Sequence, residues 1–304
     1  MKVEKMLILV GPTASGKSGL AVRLAKEFNG EVISADSRQV YKGLDIGTGK
    51  ITKREMQGVQ HHLLDIISPK KVFSAQDFID HATRAISDIH SRGKLPIIAG
   101  GTGFYIDALV GRISLPDVAP DPKLRARLEK KTAEQLYELL KKKDPKRATS
   151  MDTSSERNNK VRLVRALEVA SAHQGPSSLP SRTVLDGLDC VWIGIMPDMT
   201  VLDKKIKVRL SERLKKGMVS EAKKLHVAGL SYKRMTELGL EYRSLARFLQ
   251  GIITRQGLEE ELSSAIRRYA RKQIGYWNRN KNIKWFPSTE SGQLNTTVKA
   301  WLKK

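Results

Sequence analysis

The stretch GPTASGKS, residues 11–18, follows the apolar run MLILV at 6–10 and precedes GLAVRLAKEF at 19–28. It fits the pattern G-x-x-x-x-G-K-[ST], and its setting, after a strand-like run and before a helix-like one, is the context in which that pattern binds phosphate. Gly11, Pro12, Thr13, Ala14, Ser15, Gly16, Lys17 and Ser18 then form a loop for a diphosphate or longer chain. Its glycines let backbone N–H groups turn inward around an anion, and the helix that follows offers its N-terminal dipole. Lys17 reaches phosphate oxygens, and Ser18 is the expected ligand for Mg²⁺. The loop alone does not say whose phosphates it holds.

Outward from this loop, strand-like and helix-like pieces alternate. LILV (7–10) reads as a strand, 17–28 as a helix and EVISAD (31–36) as a second strand. Residues 75–92 carry Phe78, Ile79, Ala82, Ile86 and Ile89 at helical spacing. LPIIAGG (95–101) is a buried strand ending in glycines, and 103–110 is helical. This order predicts a parallel sheet covered on both faces. SLPDVAPDP, residues 114–122, holds three prolines and marks a boundary. Beyond it 123–143 and roughly 156–173 read as helices, and GPSSLPS (175–181) as a loop. DCVWIGIMP (189–197) returns as a strand to the first sheet, helices follow, and KNIKWF (281–286) is a candidate last strand. The expectation is an α/β fold: a P-loop NTPase-like parallel-sheet core flanked by helices, with an added helical RNA-binding region. The parts are 1–118 for the core's first part, 119–187 for a mainly helical insertion, and 188–304 for the last core strand and C-terminal helices.

The chain of 304 residues carries 55 Lys and Arg against 32 Asp and Glu, a formal charge of +23. Such an excess attracts nucleic acid, anionic membrane or acidic partners. The single cysteine, Cys190, sits in an apolar run and is expected in the core; one cysteine excludes an internal disulfide framework and a zinc finger built on cysteine pairs. No apolar run is long enough to cross a bilayer, and the run at the N-terminus reads as a buried strand rather than a signal peptide. A cytoplasmic protein is expected.

Asp36 falls at the C-terminal end of the second strand, the ligand-facing edge of an open α/β sheet. There a carboxylate can hold a metal through water or take a proton from a nucleophile; it can also simply cap a helix. Thr102 reaches the same edge, and Thr48 and Lys50 lie in a polar loop within reach of an anion. Arg157, Arg162 and Arg165, and separately Arg209 and Arg213, suit clamping of phosphate oxygens. Arg209 and Arg213 are spaced i, i+4 and share a helical face, and a solvated face fits Arg213 better than Arg209. His61 and His62 on a strand point opposite ways and read as structural, not as metal ligands. Residues 267–281, RRYARKQIGYWNRNK, interleave basic side chains with Tyr269, Tyr276 and Trp277. Basic residues suit phosphates, and rings stack on unpaired RNA bases. The competing arrangement sends the rings to the core and the charges to water, since Tyr269, Gln273 and Tyr276 share one helical face. From these residues alone the chain is a phosphate-handling transferase using Mg²⁺, with a strongly basic partner surface.

Taken together, the pieces resemble the tRNA dimethylallyltransferases of bacterial type. The resemblance rests on GPTASGKS, SADSRQVYKGLDIGTGK (34–50), HHLLDI (61–66), AGGTGFYIDAL (99–109), RLVRALEV (162–169) and RYARKQIGYWNRNKNIKWF (268–286), in the family's order and over nearly the whole chain. It implies that the loop holds the diphosphate of dimethylallyl diphosphate rather than ATP. It also implies transfer of the prenyl group to N6 of the adenosine 3′ to the anticodon, position 37 of tRNA. Asp36 matches the family's proposed general base. Arg209 matches its helix arginine, and Thr13 and Thr102 match positions near the reacting centre. Asp36, Ser37, Arg38, Gln39, Thr102, Arg125 and the run Val161, Arg162, Leu163, Val164 and Arg165 match segments that touch the tRNA. Mg²⁺ at Ser18 is the implied cofactor, the anticodon stem-loop the implied partner, with no membrane and a monomeric enzyme. The chain departs from the family's pattern at three places. LGLEY (238–242) replaces Ile-Gly-Tyr-Lys-Glu, Arg213 stands where an apolar residue is common, and Gly49 replaces a frequent alanine. Two other readings stay open: a P-loop kinase for a small molecule or nucleotide, and an RNA-binding protein without catalysis.

Overall fold

The computed structural model describes residues 4–172, 187–287 and 292–304. The chain divides into two compact units, one made of Met1–Ile113 with Thr183–Lys304, the other of Ser114–Arg182. The second unit thus begins at the head of the proline-rich stretch rather than at 119, and the loop expected at 175–181 lies outside the described residues.

The first unit is built on six strands: β1 (Lys5–Val10), β2 (Gly30–Ala35), β3 (His61–His62), β4 (Leu95–Gly100), β5 (Asp189–Ile195) and β6 (Lys284–Phe286). They form one sheet in the order β3-β2-β4-β1-β5-β6, and every pairing is parallel. Before the second unit this part of the chain carries helices α1 (Lys17–Glu27), α2 (Lys53–Met56), α3 (Ala75–Ser91) and α4 (Gly103–Leu109). The second unit holds α5 (Pro122–Leu128), α6 (Ala133–Lys143), α7 (Pro145–Ser150), α8 (Ser154–Arg157) and α9 (Lys160–Ala172). The first unit resumes with α10 (Met199–Lys215), α11 (Met218–Val227), α12 (Tyr232–Leu238), α13 (Leu240–Leu249), α14 (Arg255–Trp277) and α15 (Gly292–Leu302). The first unit is therefore the mixed α/β architecture expected, a parallel sheet flanked by helices.

The strands read as unbroken apolar runs because both faces of the sheet are covered. Alternate residues still part company. Met6, Ile8 and Val10 of β1 join Ile33, Ile98 and Trp192 in a core with Phe78 and Ile86 of α3, Ile206 and Leu210 of α10 and Trp277 of α14. Leu7 and Leu9 join Val32, Ile97 and Ile193 against Leu20 and Leu24 of α1 and Leu294, Val298 and Trp301 of α15. Among the described residues no helix is long and apolar enough to cross a membrane.

The second unit has its own core of Leu128, Leu136, Tyr137, Leu140, Met151, Leu163, Val164 and Leu167. The helix expected over 123–143 is two helices. The Thr132 hydroxyl accepts from Gln135 N while the Gln135 side chain accepts from Thr132 N, and this capping box starts α6 afresh. Likewise Asn159 Oδ1 accepts from Arg162 N at the start of α9, separating it from the single turn of α8.

Candidate active site

The sheet register puts Ala35, Gly100, Val10 and Gly194 in one row across β2, β4, β1 and β5. The residues that follow, Asp36, Gly101 and Gly11, therefore leave the sheet at one edge, beside the point where the chain order reverses around β1. Glycine at these ends is a packing requirement. A Cβ on Gly100 would overlap Ala35 O, and one on Gly11, where φ is +148°, would lie 2.5 Å from Ile195 O.

Asp36 folds back on the turn it begins. Its Oδ1 accepts from Arg38 N at 2.8 Å and from Gln39 N at 3.2 Å, while Oδ2 has no partner among the described residues. Thr102 ties this turn to β4: its Oγ1 accepts from Ser37 N at 3.1 Å, and its own N–H donates to Ala35 O at 3.2 Å. One face of α14 closes the edge. Tyr269 lies beside Thr102; burial, Asp36 and Glu241 push its hydroxyl above its ordinary pKa. Gln273, 6% exposed, accepts from Thr13 N at 2.8 Å and donates Nε2 to Gly101 O at 3.0 Å. Tyr276 donates its hydroxyl to Asp107 at 2.6 Å and fills the space a side chain at Gly103 would need. The rings of α14 thus turn inward, Trp277 most of all at 1% exposure, and base stacking by these rings is not what the helix offers. Arg268, Arg271, Lys272, Arg279 and Lys281 remain exposed.

The glycine-rich loop runs through Gly11, Ala14 (φ +60°) and Gly16 (φ +93°) into α1. The left-handed backbone at Ala14, uncommon outside glycine, lies in the turn that Ser15 N closes by donating to Pro12 O at 3.3 Å. The first N–H groups of α1 have no intrahelical acceptors. Lys17 Nζ donates to Pro12 O at 2.5 Å, with Ser15 Oγ at 3.4 Å. Enclosure of this ammonium lowers its pKa to about 7, Arg209 pushes it the same way, and Asp36 pulls it up. Arg209 is depressed too, first by burial and then by Arg213, against Glu241, Asp36 and Glu55. Lys17 and Arg209, each depressed by burial and by a neighbouring arginine, make a pocket suited to an added negative charge.

Arg209 Nη2 donates to Gly49 O at 2.8 Å. Arg213, read from sequence as facing solvent, is 8% exposed. It donates Nε to Ile46 O at 2.8 Å, and Nη2 to Gly47 O and to Glu241 Oε1. The i, i+4 spacing puts both arginines on one face, and folding turns that face toward the 46–49 segment. Lys50 and Thr48 are not free for an anion. Lys50 Nζ is held by Asp45, Asp65 and Tyr41 O, and the Thr48 hydroxyl donates to Leu44 O at 2.5 Å. His62 Nε2 meets Glu31 Oε2 at 2.7 Å, and His61 Nδ1 meets Val59 O at 2.9 Å. Cys190 is only partly buried, but burial still pushes its thiol up to about 11.

The IPP transferase family model matches residues 39–281. Among similar proteins are the tRNA dimethylallyltransferases of Halalkalibacterium halodurans, 38% identical over 94% of this chain and 92% of that one, and of Caldanaerobacter subterraneus, 40% identical over 93% and 91%. The chain belongs to the IPP transferase family. The crystal structure of the tRNA isopentenylpyrophosphate transferase from Bacillus halodurans matches with a TM-score of 0.72 at 36% identity, covering 99% of this chain and 96% of that one. A eukaryotic dimethylallyltransferase acting on tRNA, 24% identical over 98% of this chain and 77% of that one, shares the fold with a TM-score of 0.76.

Within this IPP transferase the remaining sequence-derived positions belong to the second unit. Leu163 and Val164 are core residues there, at 0% and 7% exposure, so their side chains are not available to a partner. Val161 is 80% exposed and Arg162 is exposed, pairing with Glu156 at 3.2 Å. Arg125 and Arg165 both reach the buried Glu168, and Arg165 also donates to Val118 O at 2.8 Å. Burial pushes the Glu168 carboxyl up, but Arg125 and the Asp121 N–H together hold it below its ordinary value. Sequence reasoning assigned no role to Gln273, Glu221 or Glu241. For Gln273 the signal was its place between Tyr269 and Tyr276 on one helical face; for the two glutamates there was none, because their partners lie far away in the chain.

Proposed function

We propose that this protein transfers the dimethylallyl group of dimethylallyl diphosphate to N6 of the adenosine at position 37 of tRNA, 3′ to the anticodon, releasing diphosphate. What carries the reading is the meeting of Lys17, Arg209 and Asp36, whose Oδ2 has no partner among the described residues, at one sheet edge in a member of this family.

In this reading the loop N–H groups, Lys17 and Arg209 bind the diphosphate and stabilise the negative charge that grows as the C–O bond breaks. A free exocyclic amine is too weak an acid for a carboxylate to deprotonate. As N6 forms its bond to the allylic carbon the nitrogen becomes acidic, and Asp36 Oδ2 takes the proton. The electron pair of the broken bond leaves on the diphosphate. Thr102 holds the Asp36 turn through Ser37 N and so sets the direction of the carboxylate. Mg²⁺ fits the residues present: Ser18 is exposed in the first turn of α1 with its hydroxyl unengaged among the described residues, and such oxygen donors suit that ion. No cluster of three or more His, Cys, Asp or Glu stands ready for a metal among the described residues. When bound it would neutralise diphosphate charge. Exposed basic residues of α14 and of the second unit are the surfaces offered to the anticodon stem-loop, by a monomeric enzyme.

The test is a donor swap. Purified protein with Mg²⁺ and unmodified tRNA receives either dimethylallyl diphosphate or ATP, and the nucleosides are read by mass spectrometry. Prenylated adenosine with the first donor alone is expected. ATP consumption without prenylated product would sink the reading in favour of a kinase.

A further inference from the structure

Arg213, Gly49 and the segment LGLEY (238–242) meet at one place. We propose that Arg213 and Glu241, with Gly49, form a positioning unit that sets Arg209 against the diphosphate, an inference that rests on the diphosphate reading of the site.

The segment from Asp45 to Gly49 is held from both sides. Its N–H groups are taken by one carboxylate: Glu221 accepts from Asp45 N at 3.0 Å and from Ile46 N and Gly47 N at 2.7 Å each. Its carbonyls are taken by arginines, with Ile46 O and Gly47 O bound by Arg213 and Gly49 O by Arg209. The segment LGLEY supplies the partner of each clamp. Glu241 accepts from Arg213, and Tyr242 donates its hydroxyl to Glu221 Oε1 at 2.7 Å. Gly47 and Gly49 leave the room this needs. A Cβ on Gly47 would overlap the Tyr242 hydroxyl, and one on Gly49 would overlap the Arg209 guanidinium.

Arg209 and Arg213 lie one turn apart on α10 and grip carbonyls of the same short segment. Arg213 therefore fixes the segment on which Arg209 leans. A buried guanidinium is tolerated only when its charge is met and its donors are used; Glu241 meets that charge. Without Glu241 the two guanidiniums would repel with nothing between them, and Arg209 would be driven from its place. Neither Arg213 nor Glu241 need touch the substrate. They act through the segment and through Arg209.

The experiment uses the full chain, with binding of inorganic diphosphate by calorimetry as the probe, alongside thermal unfolding and tRNA binding. Arg213→Met and Glu241→Leu each leave a buried charge unpaired, so both should unfold at lower temperature. The double variant Arg213→Met/Glu241→Leu removes both charges and should recover most of that loss. In all three the diphosphate Kd should rise on the order of tenfold, the scale of one charged hydrogen bond, with tRNA affinity unchanged. Gly49→Ala leaves the pair intact and pushes directly on Arg209, and should weaken diphosphate to a similar extent. A double variant with recovered stability and wild-type diphosphate affinity overturns the proposal and makes the pair merely structural. So does a Gly49→Ala variant with unaltered affinity, and so does wild-type protein that binds no diphosphate. If wild-type protein binds diphosphate with this pattern of variants but prenylates no adenosine, the acceptor reading fails and the positioning unit stands.

Discussion

Asp36 commits one carboxylate oxygen to its own turn and leaves the other free, and that division makes its role testable. Asp36→Asn keeps an acceptor for Arg38 N and Gln39 N, so the turn and its link to Thr102 should survive. It removes the proton acceptor. The turnover number should fall by about 10²–10⁴, the usual range for a general base, with tRNA binding retained; single-turnover kinetics near the wild-type rate would show the assignment to be wrong. Lys17 makes a second prediction, about pH. Its free-site pKa of about 7 means that it is charged below that pH and largely neutral above it. A bound anion restores the charge, so binding above pH 7 must take up a proton, and affinity must fall as pH rises by up to about tenfold per unit. Lys17→Met carries only the ligand's own titration and serves as the reference. Calorimetry in buffers of different ionisation enthalpy reads the proton directly; equal proton uptake by both proteins at pH 8 would refute the coupling.

At the scale of the element, α14 has two faces with different tasks. The inward face sets Tyr269 on Thr102, Gln273 on Thr13 and Gly101, and Tyr276 on Asp107. Gln273→Leu would leave Thr13 N and Gly101 O without their side-chain partner, at a cost of about 1–3 kcal/mol for buried groups left unpaired. It should lower the melting temperature and raise the KM for dimethylallyl diphosphate together. Arg271→Ala and Lys272→Ala on the outward face should change neither. Identical melting curves for Gln273→Leu and the wild type would remove the clamp from the account. This helix also shows how far the sequence was legible. Periodicity placed Tyr269, Gln273 and Tyr276 on one face, and the apolar runs with their glycine ends placed Asp36, Thr102 and the loop at one sheet edge. What a one-dimensional pattern could not say was which face met the sheet. Base stacking and inward packing of the rings were therefore both open, and folding turns the rings inward. Arg213 was missed for the same reason: a lone arginine reads as solvated until its acceptors, at 46, 47 and 241, are brought beside it by folding.

At the scale of the whole molecule the formal charge of +23 is large, and the site alone does not account for it. The catalytic edge consumes few cations, and several others are neutralised internally, as Lys50 is by Asp45 and Asp65 and Arg125 by Glu168. Among the exposed cations are Arg268, Arg271 and Lys272 on α14 with Arg279 just past its end, and Arg127, Lys130, Lys142, Lys146 and Arg162 in the second unit. If these residues meet the tRNA backbone, each contact releases counterions. The logarithm of affinity should then fall steeply and linearly with the logarithm of salt concentration. Replacing a residue that touches phosphate should weaken binding to every tRNA alike and make that slope shallower by about one. Arg271→Ala and Arg162→Ala, one in each unit, should each do so. Lys26→Ala is the control. It is exposed too, yet it belongs to α1 on the other face of the sheet, where its ammonium donates to Gln57, so its slope should match the wild type. Fluorescence anisotropy across a salt series distinguishes the outcomes. Shallower slopes for the two arginine variants alone place the tRNA on those faces; equal slopes for all three variants mean that the excess charge acts through a diffuse field rather than through a defined contact surface.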